Sequence, residues 1–174
     1  STEALKQLIQ KYRFIDVNTT ALFRKKIIEI LLHAGIRITV YGNGWEQLEL
    51  FHHPAFQYKG LIPPAEGIRL MEDSKIVLNH MAWFKAGASE RIFEAMLQGA
   101  ISLTDDSEYL KESFTDCTNI KYYSLDQLEA LPEMVHDLLN NPKLSETIRA
   151  NAWQQAVQFH TWNCRTQELL DIIP

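Results

Sequence analysis

The segments Lys75-Ile76-Val77-Leu78-Asn79-His80-Met81, Gly87-Ala88-Ser89-Glu90-Arg91-Ile92-Phe93-Glu94-Ala95-Met96-Leu97-Gln98-Gly99-Ala100 and Ile101-Ser102-Leu103-Thr104 follow one another along the chain. The first is a near-continuous apolar run of the kind buried on both faces of a parallel sheet. The second is a glycine-containing loop running into a helix. Ser89 stands at its N-cap, Ile92, Phe93 and Met96 lie on one face, and Glu90 and Glu94 share another, four residues apart. The third is again an apolar strand. Strand, helix and strand at this spacing form the crossover that joins neighbouring parallel strands.

The alternation continues in both directions. Upstream, residues 2–13 carry Leu5, Leu8, Ile9 and Tyr12 at helical spacing, and a break is expected around Asp16-Val17-Asn18. Thr19 or Thr20 then caps a second helix through His33, with Gly35 as its terminating glycine. Residues 36–41 read as a β-branched strand followed by the loop Gly42-Asn43-Gly44-Trp45. A short strand at 56–58 leads to Lys59-Gly60, and Pro63-Pro64 opens a helix through Met71. Downstream, Asp105-Asp106 closes the strand 100–104. A short helix at 108–114, a strand at 119–123 and a helix at 125–140 interrupted by Pro132 follow. Residues 144–172 are helical with a bend at His160-Thr161. The expected fold is α/β, a parallel sheet flanked by helices. In such sheets ligands bind beyond the carboxyl ends of the strands, which singles out loops 42–45, 58–61, 82–89 and 104–107.

Composition narrows the function. The chain has 174 residues, 46% hydrophobic and 22% charged, with a net charge of −5. This describes a soluble globular domain and argues against a nucleic-acid partner. The longest basic run, Arg24-Lys25-Lys26, reads as a solvated helix face. No apolar run approaches the ~20 residues of a membrane span. Cys117 and Cys164 lie far apart without metal spacing, as expected for reduced thiols of a cytoplasmic protein.

The start of the helix at 89 presents unpaired N–H groups and a positive dipole end, an anion site in its simplest form. Arg91 suits bidentate phosphate recognition or a plain surface charge. Glu94, one turn further in, is placed to accept hydrogen bonds from hydroxyls on the molecule carrying the anion. Phosphate together with sugar hydroxyls means a nucleotide or a nucleotide-sugar. Around this centre, Lys85 either neutralises a phosphate or points to water, and Gly42-Asn43-Gly44 is a tight turn or a close approach to a ligand. His80 is a structural or a ligand-facing histidine. Asp105-Asp106 reads as a helix cap in preference to a metal site, and His52-His53 as surface or packing. Trp45, Trp153 and Trp162 read as core or domain-contact residues, with Trp83 set apart by its place in the loop. No nucleophile–base set, GxGxxG fingerprint or Walker lysine motif is present. A receiver-type signalling domain would need an acidic pair after the first strand, which the Gly-Asn-Gly loop does not supply.

These pieces, in order, resemble a known family. Val40-Tyr41-Gly42-Asn43-Gly44-Trp45, Tyr58-Lys59-Gly60, Ser74-Lys75-Ile76-Val77-Leu78-Asn79, Ser89-Glu90-Arg91-Ile92-Phe93-Glu94-Ala95-Met96, Gly99-Ala100, Leu103-Thr104-Asp105 and Leu110-Lys111-Glu112-Ser113-Phe114 are similar to the C-terminal, donor-binding domain of GT-B fold glycosyltransferases, in particular the group related to spore maturation glycosyltransferases. The resemblance implies a Rossmann-like domain over 16–142. Residues 1–15 become an interdomain or N-terminal helix, and 143–174 become C-terminal helices that pack on the domain and toward an N-terminal acceptor domain of the parent chain. It implies a retaining-type site for a nucleotide-diphosphate sugar, with no metal and no other cofactor. Glu94 would hold the ribose. Gly44, Lys85, Gly87, Ser89 and Arg91 would line the diphosphate, Tyr58, Lys59 and Gly60 would lie near the base, and Glu90 and His80 would be sugar contacts. Related enzymes often carry a second glutamate eight positions before the ribose acid; that position is Ala86 here. The alternative is a non-catalytic nucleotide-sugar-binding or protein-interaction module that kept the fold.

Overall fold

The computed structural model describes residues 2–81 and 84–173; Trp83 lies outside them. The chain opens on one helix, α1 (Thr2–His33), without the expected break. The segment Asp16-Val17-Asn18 has no proline or glycine. The Asn18 amide donates to the Phe14 carbonyl at 2.7 Å and the Thr19 hydroxyl to the Ile15 carbonyl at 2.8 Å. Both side chains therefore fold back onto their own helix instead of capping a new one. The far end is as expected. Ile36 N–H donates to the Leu31 carbonyl and Gly35 N–H to the Leu32 carbonyl, with Gly35 at φ 76°, the paired terminating bonds of a Schellman turn.

Five short strands follow: β1 (Ile38–Val40), β2 (Phe56–Tyr58), β3 (Ile76–Leu78), β4 (Ile101–Asp105) and β5 (Lys121–Tyr123). All pair in parallel, in a two-stranded sheet β1-β2 and a three-stranded sheet β3-β4-β5. Side chains join the two sheets: Ile38 and Leu78 pack against the same core clusters. β4 is buried along its whole length, whereas β3 is only half-buried, contrary to its reading as a strand covered on both faces. The difference follows from position: β4 is the central strand of its sheet and β3 an edge.

The helices α2 (Pro64–Glu72), α3 (Glu90–Leu97) and α4 (Glu108–Ser113) fall between strands as expected. α5 (Leu131–Asn140) follows a 3-10 turn at Leu128–Ala130, and Pro132 sits in its first turn, opening the helix rather than interrupting it. α6 (Pro142–Phe159) and α7 (Trp162–Ile172) meet at His160-Thr161, where the Thr161 hydroxyl accepts the Cys164 N–H. α6 belongs to the domain's own core: Ala152 and Ala156 pack with Ile92 and Met96 of α3, and Ile148 packs with Ile101 and Leu138. The His160 ring stacks on Phe93 at 4.9 Å and lies 5.0 Å from Phe114. Burial first, and the Arg165 cation second, hold its pKa below the usual histidine value. Trp153 and Trp162 are outside this core, 51% and 78% exposed.

Asp105, read from sequence as half of a helix cap, is instead a buried hub. Ser107 caps α4 by accepting the Leu110 N–H. Asp105 is 1% exposed, accepts the Met81 N–H at 2.6 Å and pairs with the Lys85 ammonium. His80 Nδ1 stands 3.4 Å from it, outside hydrogen-bond geometry. Glu108 N–H donates to the Lys85 carbonyl at 2.8 Å, and the Ser107 hydroxyl to the Gly87 carbonyl at 2.6 Å. The loop after β3 is thus laced to the end of β4. Burial raises the Asp105 pKa, but His80, Lys85 and the Met81 N–H outweigh it and hold the carboxyl below its usual value. A depressed carboxyl contributes stability above its unfolded pKa and loses it as pH falls through the folded value. Asp105→Asn is expected to lower stability in urea titrations by about 2 kcal/mol or more at neutral pH. The gap to the parent chain should stay constant down to about pH 5 and close below about pH 4.

Candidate functional site

The cleft that gathers five of the eleven candidate residues lies beyond the carboxyl end of β3, at the start of α3. It measures about 610 Å3. A second cleft of about 660 Å3 is lined by Gly35, Ile36, Ala55 and Lys75, residues that precede strands. The carboxyl-end rule favours the first.

α3 divides its faces as the spacing predicts. Ile92, Ala95 and Met96 are fully buried, Phe93 and Glu94 are half-buried, and Glu90 and Arg91 are exposed. Ser89 occupies the N-cap position, but its hydroxyl makes no capping bond. The helix ends on Gly99, φ 76°, with the same bond pair as α1: Gly99 N–H to the Met96 carbonyl and Ala100 N–H to the Ala95 carbonyl. The tight exit delivers the chain directly into β4.

Arg91 is aimed by a buried amide. Its Nη1 donates to Asn79 Oδ1 at 3.0 Å, and Asn79 is 2% exposed. Asn79 is itself fixed on every side: its N–H donates to the Leu103 carbonyl, its Nδ2 to Thr104 Oγ1 at 3.0 Å, and its carbonyl accepts the Tyr123 hydroxyl at 2.8 Å. Burial and then the neighbouring Arg24 cation lower the Arg91 pKa, with Glu94 opposing them. Arg24 is the residue that sequence reasoning missed. Read as part of a solvated basic run, it lines the cleft with Thr20, while Lys25 pairs with Glu29 at 3.4 Å. The signal was present: Thr20, Arg24, Ile27, Ile28 and Leu31 recur at the spacing of one helix face, so a threonine and an arginine sit on the packed side of α1.

The cleft unites His80, Ser89, Glu90, Arg91 and Glu94 among the candidates, with Arg24 and Phe84 as further walls. Among the described residues, neither Arg24 nor Glu94 makes a side-chain hydrogen bond or salt bridge. His80 Nε2 is buried without a partner. Two guanidinium groups therefore face one cavity with a carboxylate and an unsatisfied imidazole nitrogen beside them. That set can clamp a phosphorylated group and accept bonds from hydroxyls.

The other candidates lie elsewhere. Lys85 pairs with Asp105 and donates to the Asp106 carbonyl at 2.9 Å, and its side chain does not line the cleft. Gly87 adjoins the cleft beneath Phe84: a Cβ there would meet the ring at 2.3 Å. Gly44 lies in the loop after β1 and Tyr58-Lys59-Gly60 at the end of β2. Gly42 N–H to the Gly60 carbonyl, 2.8 Å, ties these loops together, yet neither lines the cleft. The Tyr58 hydroxyl donates to Glu46 Oε1 at 3.0 Å. Ala86, where related enzymes often have an acid, is exposed in the loop before α3. No helix among the described residues is long and apolar enough to cross a membrane.

The fold is shared with solved glycosyltransferases. Anabaena HepE in complex with UDP-glucose superposes with a TM-score of 0.67 at 17% identity, over 82% of this chain and 43% of that one. TarM gives 0.70 at 15% identity, over 88% and 32%. The pneumococcal O-GlcNAc transferase GtfA in complex with UDP and GlcNAc gives 0.58 at 20% identity, over 83% and 32%. The chain thus spans less than half the length of each, and its architecture is the Rossmann-like half of a GT-B fold. No curated protein sequence matches it. The family model described as "Glycosyl transferase-like" matches residues 22–171, a span that takes in Arg24, the whole cleft wall of α3 and the packed helix α6, and the chain belongs to that family.

Proposed function

We propose that this chain is the nucleotide-diphosphate-sugar-binding half of a cytoplasmic, metal-independent glycosyltransferase, which transfers a sugar once an acceptor domain completes the cleft. The observation that carries this reading is the meeting of Arg24 and Arg91 in one cavity with the unpaired Glu94 one turn further along α3. Arg91 and Arg24 bind the diphosphate, assisted by backbone at Gly87 and Ser89. Glu94 accepts the ribose hydroxyls. The loops at Gly44 and at Tyr58-Lys59-Gly60 lie toward the base, and His80 Nε2 and Glu90 serve the sugar. Both cations would stabilise the charge that grows on the leaving diphosphate, an electrostatic contribution that needs no metal. The UDP-glucose complex of HepE and the UDP and GlcNAc complex of GtfA support this choice of donor class. The exposed apolar residues of α7, Trp162, Leu169 and Ile172, fit a contact with the acceptor domain.

Ala86 favours a second reading, in which the domain binds the donor without turning it over. Pairing the chain with an acceptor domain and measuring donor consumption separates the two: turnover supports the enzyme, binding without turnover the module. The 174-residue chain alone should bind weakly and transfer nothing.

Calorimetry with uridine, guanosine and adenosine diphosphates, and with pyrophosphate, checks the assignment of roles. Arg91→Ala and Arg24→Ala should each weaken nucleotide and pyrophosphate alike, by about tenfold or more. Glu94→Ala should weaken the nucleotides by a similar factor and leave pyrophosphate unchanged. No binding at millimolar nucleotide, or full binding by Glu94→Ala, would sink the reading. Arg91→Lys should recover little, because an ammonium cannot reproduce a guanidinium held on Asn79 and open toward phosphate at once.

A further inference from the structure

The amino-terminal half of α1 carries an apolar stripe that the domain does not cover. Leu5, Leu8, Tyr12, Ile15, Thr19 and Leu22 are all exposed, Leu8 at 49%. Their spacing alternates three and four along the whole stretch, the a and d positions of a heptad seam. At 100° per residue the stripe is centred roughly 135° from the face formed by Ile27, Ile28 and Leu31, which packs on the sheets. It points away from the body of its own domain and away from the Arg24 side of the helix.

We propose that this stripe is a dimer seam, occupied by the α1 of a second copy running parallel and in register. Charge pattern selects that occupant. With Leu5 at a, Lys11 falls at g and Asp16 at the following e, and in a parallel two-stranded coil each g residue meets the next e residue of its partner. Lys11 of each copy therefore faces Asp16 of the other, giving two symmetry-related ion pairs. Among the described residues neither makes a salt bridge within the chain. The preceding g and e positions are Ala4 and Ile9, which meet as an apolar pair. Thr19, the one polar residue in the seam, already satisfies its hydroxyl on the Ile15 carbonyl, so burying it strands no donor. α1 is already one unbroken helix anchored at its far end, so association pays little for ordering it. The cleft stays open in the dimer.

Sedimentation velocity over a concentration series of the 174-residue chain tests the seam. A monomer–dimer equilibrium is expected. Leu8→Lys and Ile15→Lys, both exposed in the single chain, should each weaken it by about a hundredfold or more, with circular dichroism and melting of the monomer unchanged. Lys11→Asp and Asp16→Lys should each weaken it by roughly threefold to tenfold. The double variant should restore it, and an equimolar mixture of the two single variants should form the heterodimer. A chain that stays monomeric to millimolar concentration overturns the proposal and returns the stripe to some other part of a longer protein. A dimer indifferent to Leu8→Lys, or charge reversals that do not rescue each other, overturns the seam or its parallel register.

Discussion

The Asn79 side chain makes two hydrogen bonds inside the protein, and most of the site's geometry depends on them. Its Nδ2 is held by Thr104 Oγ1 on β4, and its Oδ1 receives Arg91 from α3. A primary amide has one acceptor end and one donor end, so holding β4 with the donor leaves only the acceptor for the arginine. The flip of this amide is thereby decided by its partners. An aspartate would lose the donor to Thr104, and a leucine would remove the acceptor that aims the guanidinium as well. The Tyr123 hydroxyl closes the same knot from β5 by donating to the Asn79 carbonyl. Burial first, then nearby Asp105, push the Tyr123 pKa upward, so this hydroxyl keeps its proton and remains a donor.

The Asp105 hub stands beside that knot and does a different task. Asn79 aims a cation into the cleft, while Asp105 binds another, Lys85, whose side chain does not line it. The loop between β3 and α3 is short of regular structure, yet the Met81 N–H, the Lys85 ammonium and carbonyl, and the Gly87 carbonyl all bond to residues 105–108. A loop at the carboxyl end of a strand gains function only if it is rigid enough to hold its side chains in place. Here the rigidity comes from the next strand's end rather than from the loop itself.

The sequence is legible where periodicity and punctuation agree. β2, α2, α3, α4 and the bend at His160-Thr161 all follow from apolar spacing with proline, glycine or serine at the edges. Within the site, Ser89, Glu90, Arg91, Glu94 and His80 meet in one cleft because they lie within a single strand–loop–helix unit, where local order fixes proximity. Misreadings arise where a side chain chooses between two partners. Asn18 and Thr19 look like breakers and cappers, but bond back to their own helix. Lys85 looks free, but finds a carboxylate twenty residues on. Arg24 needs knowledge of which side of α1 meets the sheet, and that is a tertiary fact. Loops 42–44 and 58–60 show the complementary limit: strand topology puts both beyond the carboxyl ends of the strands, but does not decide whether they wall the cleft, which they do not.

α1 joins the chemistry of the molecule to its surface. A break at residues 16–18 would have made two helices, one free to reorient on the other. Instead the back-bonded Asn18 and Thr19 leave a single rod of 32 residues, with Thr20 and Arg24 on the side that meets the cleft and the heptad stripe on the other. Helix curvature is gentle when no proline, glycine or inserted water interrupts the ladder. The two faces are therefore fixed in angle relative to each other. Anything held by the stripe is placed at a defined orientation to the cleft, at a separation of only a few turns. A flexible tether would bring a partner near; this rod also sets which way the partner faces. The domain's own core draws only on the far end of this rod, whose packed contacts begin at Phe23 and whose fully buried residues begin at Ile27.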